Sequence, residues 1–407
     1  MAKGQKKIKR YNRIYGGRSV LSKVMGVVLT VVILAGFACL GWALYEPVSQ
    51  FLSGTMQIPE EEPQESLSES QSSVPEQLPE EKPPAVLLEL SQVRGAYLPL
   101  SALQDPLFLS QTLDDLKAQG INAILIDGKN AQGQVLYRSA NQTVAEVSAQ
   151  VPGAVDLNQV TTLAKAKDMI VIARIYAFRD PICPLVNKKA AVKYQNTEML
   201  WLDNSREYGG KSWLNPYSEL AQMYIADLSL ECIRSGCTAV MLDGVQFPSG
   251  YSLDLAGYGV QTKTRQRVLS DFVQDMEELL QENGGVLLYA SSSTAMLGME
   301  SSSYESGGLV YPIQNFCPDL RPSSFTENLR PESLTAENPQ AQPYETVKAV
   351  LTQLQKAGKE KSFLPLLQAD GEAFSGTDYT KAQIQALKEC GVSGYILYNA
   401  QGEYPLS

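Results

Sequence analysis

The residues of this chain best suited to chemistry are carboxylates. The 407-residue sequence contains no histidine, which excludes Ser-His-Asp and Cys-His catalysis and deprives a zinc centre of its usual imidazole ligands. Acid–base work then falls to Asp, Glu, Lys, Tyr or Cys. Paired carboxylates, as in glycosidic-bond cleavage, lose least by the absence. The best-placed carboxylate is Asp243, which closes the apolar run Ala239-Val-Met-Leu-Asp243 and precedes Gly244 and a Phe247-Pro248 stop. Such a run after a long amphipathic segment (218–235) suits a parallel strand buried on both faces, and parallel α/β folds carry their chemistry at strand C-terminal ends. The plainer reading is an Asp that caps the next loop.

Glycosidic cleavage needs two carboxyls, one to donate a proton and one to act as base or nucleophile. With Asp243 as the first, Asp127 at the end of Ile124-Leu-Ile-Asp127 is our choice for the second. Asp180, Asp319 and Asp370 follow other apolar runs, and strand ends that converge on one barrel face exclude none of them. Asp127 could instead form a structural ion pair with Lys129 or Arg174. Arg174 lies inside an apolar run, so it must reach the barrel mouth or a buried carboxylate. Either way it belongs near the Asp cluster, as a substrate- or carboxylate-positioning group. Trp201 and Trp213 share one polar loop (179–217) with Tyr194, Tyr208 and Tyr217. Aromatic faces there could stack on sugar rings or anchor a long loop to the core. Gln368 and Asn399, at apolar run ends, suit hydrogen bonds to sugar hydroxyls or to loop backbone. Asn215 reads as a helix cap before Pro216. No metal-ligand spacing or cofactor motif is present, so neither a metal nor an organic cofactor is expected.

Positioning these groups requires a regular scaffold, and the patterning supplies one. Apolar runs at 95–98, 123–126, 170–178, 239–242, 286–290, 309–313 running toward 315–317, 363–367 and 395–398 alternate with helical patterns at 109–119, 157–167, 218–235, 263–283, 345–357 and 381–390. Asn215-Pro216 predicts a helix start, Thr380 to Gln383 reads as a capping box, and Gly358 and Gly391 read as helix stops. About eight strands alternating with helices predict an α/β (β/α)8 TIM-type barrel over 85–407. A doubly wound open sheet is the alternative, but no Gly-rich loop follows the first strand. The last run ends nine residues before the C-terminus, so the final outer helix is expected to be missing or replaced.

The segments before the barrel differ sharply in composition. Residues 1–23 hold eight basic residues and no acid, and an uncharged run follows from Val24 to Tyr45. That run is long enough to span a bilayer, and positive-inside bias places the amino terminus in the cytoplasm and the barrel outside. Within 46–84 the stretch from Ile58 to Pro84 carries eight Glu against Lys82, the composition of an extended, disordered tether. The net charge of −10 and the lack of a basic stripe argue against nucleic-acid binding. Five cysteines follow the tether (Cys183, Cys232, Cys237, Cys317, Cys390), an odd, irregular set that reads as free thiols, Cys232 and Cys237 included.

Taken together, several blocks resemble a family of bacterial TIM-barrel proteins assigned as glycoside hydrolases and often found behind an N-terminal anchor. Arg94-Gly-Ala-Tyr97, Ile124-Leu-Ile-Asp127-Gly-Lys129 and Ile172 to Pro181 look like the family's first three strands. Trp201-Leu-Asp203 and Trp213 to Tyr217 are similar to its long third loop. Asp243 to Pro248 resembles its Phe-Asp-Tyr-x-Arg-Phe-Pro block, with Gly244 and Gln246 in place of the Tyr and Arg. Cys317 to Ser324 stands where the family has Ser-Pro-Met-x-Tyr-Pro-Ser-His, without that Tyr and His. Pro365 to Gln368 and Gly394 to Asn399 resemble the last two strands. The resemblance implies a divergent glycoside hydrolase-like barrel acting on an envelope or extracellular polysaccharide, or an inactive barrel that binds a glycan or a protein. It implies catalytic Asp243 and Asp127, and adds Lys129 and Asp319 to Arg174, Trp201, Trp213, Gln368 and Asn399 as substrate-binding positions.

Overall fold

The computed structural model describes residues 88–304, 307–326, 331, 334–371 and 376–404. The basic arm, the apolar run 24–45 and the acidic tether lie outside these residues. Among the described residues, no helix is long and apolar enough to cross a membrane.

Eight parallel strands close on themselves: β1 (Arg94–Leu98), β2 (Ala123–Lys129), β3 (Ile170–Tyr176), β4 (Ala239–Asp243), β5 (Val286–Ser292), β6 (Asn315–Asp319), β7 (Leu366–Gln368) and β8 (Tyr395–Tyr398). They pair in chain order, and β8 returns to β1 through Arg94↔Tyr395, Gly95↔Ile396 and Ala96↔Leu397. Period-2 alternation divides each strand between two cores. Ala123, Leu125, Ile172, Ala239, Met241, Val286, Leu288, Cys317, Leu366 and Ile396 fill the barrel interior. Their neighbours Ile124, Ile126, Val171, Ala173, Val240, Leu242 and Leu397 pack outward with the helices. Continuing the inward phase to the strand ends brings Asp127, Arg174, Tyr176, Asp243, Asp319, Gln368 and Tyr398 to the C-terminal mouth.

Six long helices form the outer layer: α1 (Pro106–Ala118), α2 (Leu157–Lys165), α3 (Glu219–Arg234), α4 (Arg265–Glu282), α5 (Pro343–Ala357) and α6 (Thr377–Glu389). Local chemistry starts several of them. Asp105 accepts from Leu107 and Phe108 N–H with Pro106 opening α1, and Asp156 and Thr264 cap α2 and α4. Between β5 and β6 the described residues make short helices, Ser293–Met296 and Ser301–Tyr304, and a turn at Gly308–Val310. After β8, Tyr404 folds back and its hydroxyl donates to Tyr97 O at 2.7 Å.

Four local expectations are corrected. The apolar stretch 309–313 is not a strand; Tyr311 is buried edge-on against Tyr289, and pairing begins at Asn315. The run 363–367 is divided by Pro365, which cannot donate to a ladder, into Ser362–Phe363 beside β6 and β7 proper. α3 starts at Glu219, three residues after Pro216, because the Asn215 side chain forms a turn by accepting from Tyr217 N–H. α6 starts before Thr380, and Gln383 is no cap: buried, it bonds both the N–H and the C=O of Gln368. An excursion after β2 adds strands Val135–Tyr137 and Gln150–Val155, which the patterning did not predict. The five cysteines described are free thiols.

Candidate active site

Asp243 ends β4 inside the mouth, where the Gly244 amide donates to Asp243 Oδ1 at 2.7 Å and Gly244 turns the chain away with a left-handed φ of +62. L side chains rarely adopt that backbone state, which accounts for glycine at this position. Tyr176, the last residue of β3, is the ladder partner of Asp243 and lies beside the same carboxyl. Burial pushes the Asp243 pKa up. The Arg174 charge, the Gly244 hydrogen bond and the neighbouring Tyr176 hydroxyl act against that rise, and the Asp319 charge adds to it. Asp243 is thus a carboxyl disposed to keep its proton.

Arg174 reaches the mouth and also finds a carboxylate there. Its Nε donates to Asp127 Oδ1 at 2.6 Å, and its guanidinium lies 5.2–5.6 Å from the ring centres of Tyr97, Tyr176 and Tyr398. The other oxygen of Asp127 accepts from the Tyr97 hydroxyl at 2.9 Å. Asp127 therefore has both oxygens engaged and orients Arg174.

Asp319, at the end of β6, is held differently. Arg321 grips it with Nε on Oδ1 at 2.9 Å and Nη2 on Oδ2 at 2.7 Å, and Ser324 Oγ donates to Oδ2 at 2.7 Å. Burial alone would push this carboxyl up, but the Arg321 charge and these hydrogen bonds hold it below the usual range. Arg321 also stacks 4.5 Å from the Tyr398 ring centre. Asp127, Asp243 and Asp319 thus share the mouth with two guanidiniums, Arg174 and Arg321.

The structure gives the other sequence-predicted residues protein partners. Lys129 is fully buried, donates to Tyr176 O at 2.6 Å and lies 3.1 Å from Asp180 Oδ2. A bulge between Asp127 and Lys129 sets Lys129 beside Ile175, in the outward phase. It is therefore removed from the mouth and from the substrate-facing set. Trp201 is sealed, its Nε1 donating to Ser252 O, and Trp213 Nε1 donates to Asp203 Oδ2, so both anchor loops. Gln368 accepts from Ser323 N–H and donates to Asp370 O. Asn399, outward in phase, donates to Ala369 O and Glu403 O. Asp180 caps Ile182 and Cys183, and Asp370 accepts from Ala400 N–H.

Residues not singled out from sequence complete the site. Tyr97, Tyr176 and Tyr398 are in the inward phase, a signal that period-2 reading carries. Arg321 and Ser324 lie beyond a strand end and show none. Glu300, held by Ser292 and Thr294 hydroxyls at 2.6 Å each, adds a carboxylate beside the end of β5. Tyr304 donates to Gln246 Oε1 at 2.6 Å. Among the described residues, no cluster of three His, Cys, Asp or Glu could hold a metal ion.

Fold and site together define a closed (β/α)8 barrel with a carboxyl–guanidinium centre at its C-terminal mouth. Residues 95–404 match the family described as "Putative glycosyl hydrolase domain", and the chain belongs to that family. The glycoside hydrolase domain of PgaB (BpsB) from Bordetella bronchiseptica shares the fold at 14% identity and a TM-score of 0.55, over 76% of this chain and 94% of that one. A hypothetical protein from Ruminiclostridium thermocellum ATCC 27405 is 24% identical over 48% of this chain and 96% of its own, with a TM-score of 0.42. The catalytic domain of β-amylase from Paenibacillus polymyxa is 12% identical over 77% of this chain and 95% of its own, with a TM-score of 0.45. The latter two are too loose to add to the fold. No curated protein matches the chain.

Proposed function

We propose that the barrel hydrolyses glycosidic bonds with Asp243 as proton donor and Asp319 as the ionised carboxylate partner. One arrangement carries this: at a single mouth Arg321 grips both oxygens of Asp319 while Asp243 is buried against the Gly244 amide, so that Asp319 is pushed down and Asp243 up. Such divergence separates acid from ionised partner in carboxylate pairs. Asp243 gives its proton to the glycosidic oxygen as the bond from that oxygen to the anomeric carbon breaks. The positive charge on the sugar is met by Asp319, and water then adds to the anomeric carbon as its proton passes to the Asp243 carboxylate, which restores the donor. Asp127 serves by holding Arg174 against the reacting face, in place of the base role expected from sequence. The basic arm and the apolar run 24–45 support a barrel tethered outside a cell membrane, acting on an envelope or extracellular polysaccharide.

A second reading is a silent barrel that binds a glycan or a protein partner. What favours it is that Asp127 and Asp319 each have both oxygens engaged by protein donors. Reducing-end release decides between the two. Full-length protein in a non-glycosidic detergent is incubated with peptidoglycan and envelope polysaccharides beside Asp243→Asn. Release by the parent and not the variant supports hydrolysis. Equal release by both removes Asp243 from the acid role, and none from a folded parent favours the binding barrel.

A further inference from the structure

Two long loops on the mouth side of the barrel, one following β3 and one following β4, meet over the buried Trp201 and Trp213. Asp203 is their shared hub. Its side chain accepts from Lys211 N–H at 2.7 Å and from Trp213 Nε1 at 3.1 Å, while its carbonyl accepts from Tyr251 N–H at 3.0 Å. Gly250 (φ +144) permits this closeness, since a Cβ there would sit 2.3 Å from Asp203 O. Trp201 adds a second tie through Ser252 O. The knot displays two large aromatic side chains to solvent, Tyr208 at 75% and Tyr251 at 73% exposure. Both line one cavity of about 600 Å³ with Tyr194, Leu202, Asn204, Ser205 and Ser252. Its size lies in the ~300–1,000 Å³ range of ligand clefts.

The lining holds three tyrosines, one amide and two hydroxyl side chains, and no charged group. Apolar ring faces with neutral donors and acceptors complement a sugar ring, which is itself apolar on its faces and hydroxylated at its edge. An anionic polymer would find no cation in the lining, and a basic peptide no carboxylate. We propose that this cleft is a second carbohydrate subsite that holds an uncharged stretch of polysaccharide by stacking on Tyr208 and Tyr251, separate from the carboxyl centre. The inference rests on the glycan-acting reading of the barrel. Tyr208 and Tyr251 reach little of the core, so their removal leaves folding intact.

Affinity electrophoresis of the full-length protein in a non-glycosidic detergent tests it. The gels contain dextran, β-1,3-glucan, hydroxyethyl cellulose or soluble chitin oligomers, with hyaluronan as the anionic control. The parent and Asp243→Asn should be retarded alike by at least one neutral polymer. Tyr208→Ala/Tyr251→Ala, with unchanged melting temperature, should bind that polymer about tenfold more weakly, equivalent to ~1.4 kcal/mol, and should cleave short oligosaccharides at the parental rate. Equal retardation of the double variant, retardation by hyaluronan alone, or no retardation of the parent overturns the subsite. Because Asp243→Asn is read in the same gels, a missing hydrolase activity leaves the subsite result standing.

Discussion

At the scale of residues, the mouth works through contrast between like groups. Asp243 and Asp319 both end strands and both are desolvated, yet Asp319 is gripped by Arg321, whose charge outweighs the burial that raises Asp243. In the proposed mechanism, activity should fall at high pH as Asp243 loses its proton and at low pH as Asp319 gains one. Arg321→Met releases Asp319 toward the ordinary carboxylate range. The acidic limb of kcat/KM should then move to higher pH while the alkaline limb stays, and kcat should drop about 10²-fold; an unmoved acidic limb would show that Asp319 does not set it. Stability follows the same signs. The folded pKa of Asp243 lies above its unfolded value of about 3.9, so its contribution is complete below that pH and lost as pH rises through the folded value. Asp243→Asn should therefore melt no lower than the parent at pH 7, with any gain vanishing on acidification. A lower melting temperature at neutral pH would mean the carboxylate is structural.

At the scale of elements, strand phase decides who reaches the mouth. Asp127, Arg174, Asp243 and Asp319 were legible because each continues the inward alternation of its strand, Asp243 and Asp319 at the last residue. Lys129 obeyed that pattern on paper and departed from it in space, because the bulge after Asp127 inserts one extra residue. Its amine instead supports the Tyr176 carbonyl, and thereby the strand end that pairs with Asp243. Lys129→Met should leave Asp180 buried without its counter-charge and cost about 3–5 kcal/mol. Pairing it with Asp180→Asn, which keeps the Oδ1 cap of Ile182 and Cys183, should recover much of that loss. Urea unfolding of the two variants measures this, and a double variant no more stable than the single would show that the buried charge is not the cause. The tryptophans were equally double-edged: their loop made them candidates for stacking, and burial made them anchors for the tyrosines that remain exposed.

At the scale of the whole molecule, a barrel gathers eight strand ends from across about 300 residues at one face. If the first 45 residues tether it, full-length protein should sediment with membranes and resist high-salt extraction, whereas a chain lacking them should stay in the supernatant. Recovery of both in the supernatant would sink the anchored arrangement.

The sequence by itself determined the barrel and the mouth-side placement of its aspartates, and from it came the carboxylate chemistry proposed for them. Apolar alternation, helix caps and the missing histidine are local properties that composition and period carry. Only the tertiary structure decided which carboxyl burial pushes up and which an arginine holds down, which arginine holds which aspartate, and which aromatics stay exposed. Those outcomes depend on desolvation and on donors from distant segments: Asp127 meets Arg174 and Tyr97 across neighbouring strands, and Tyr208 and Tyr251 line one cleft from two loops. Distance through space sets their energies, and period along the chain does not encode it.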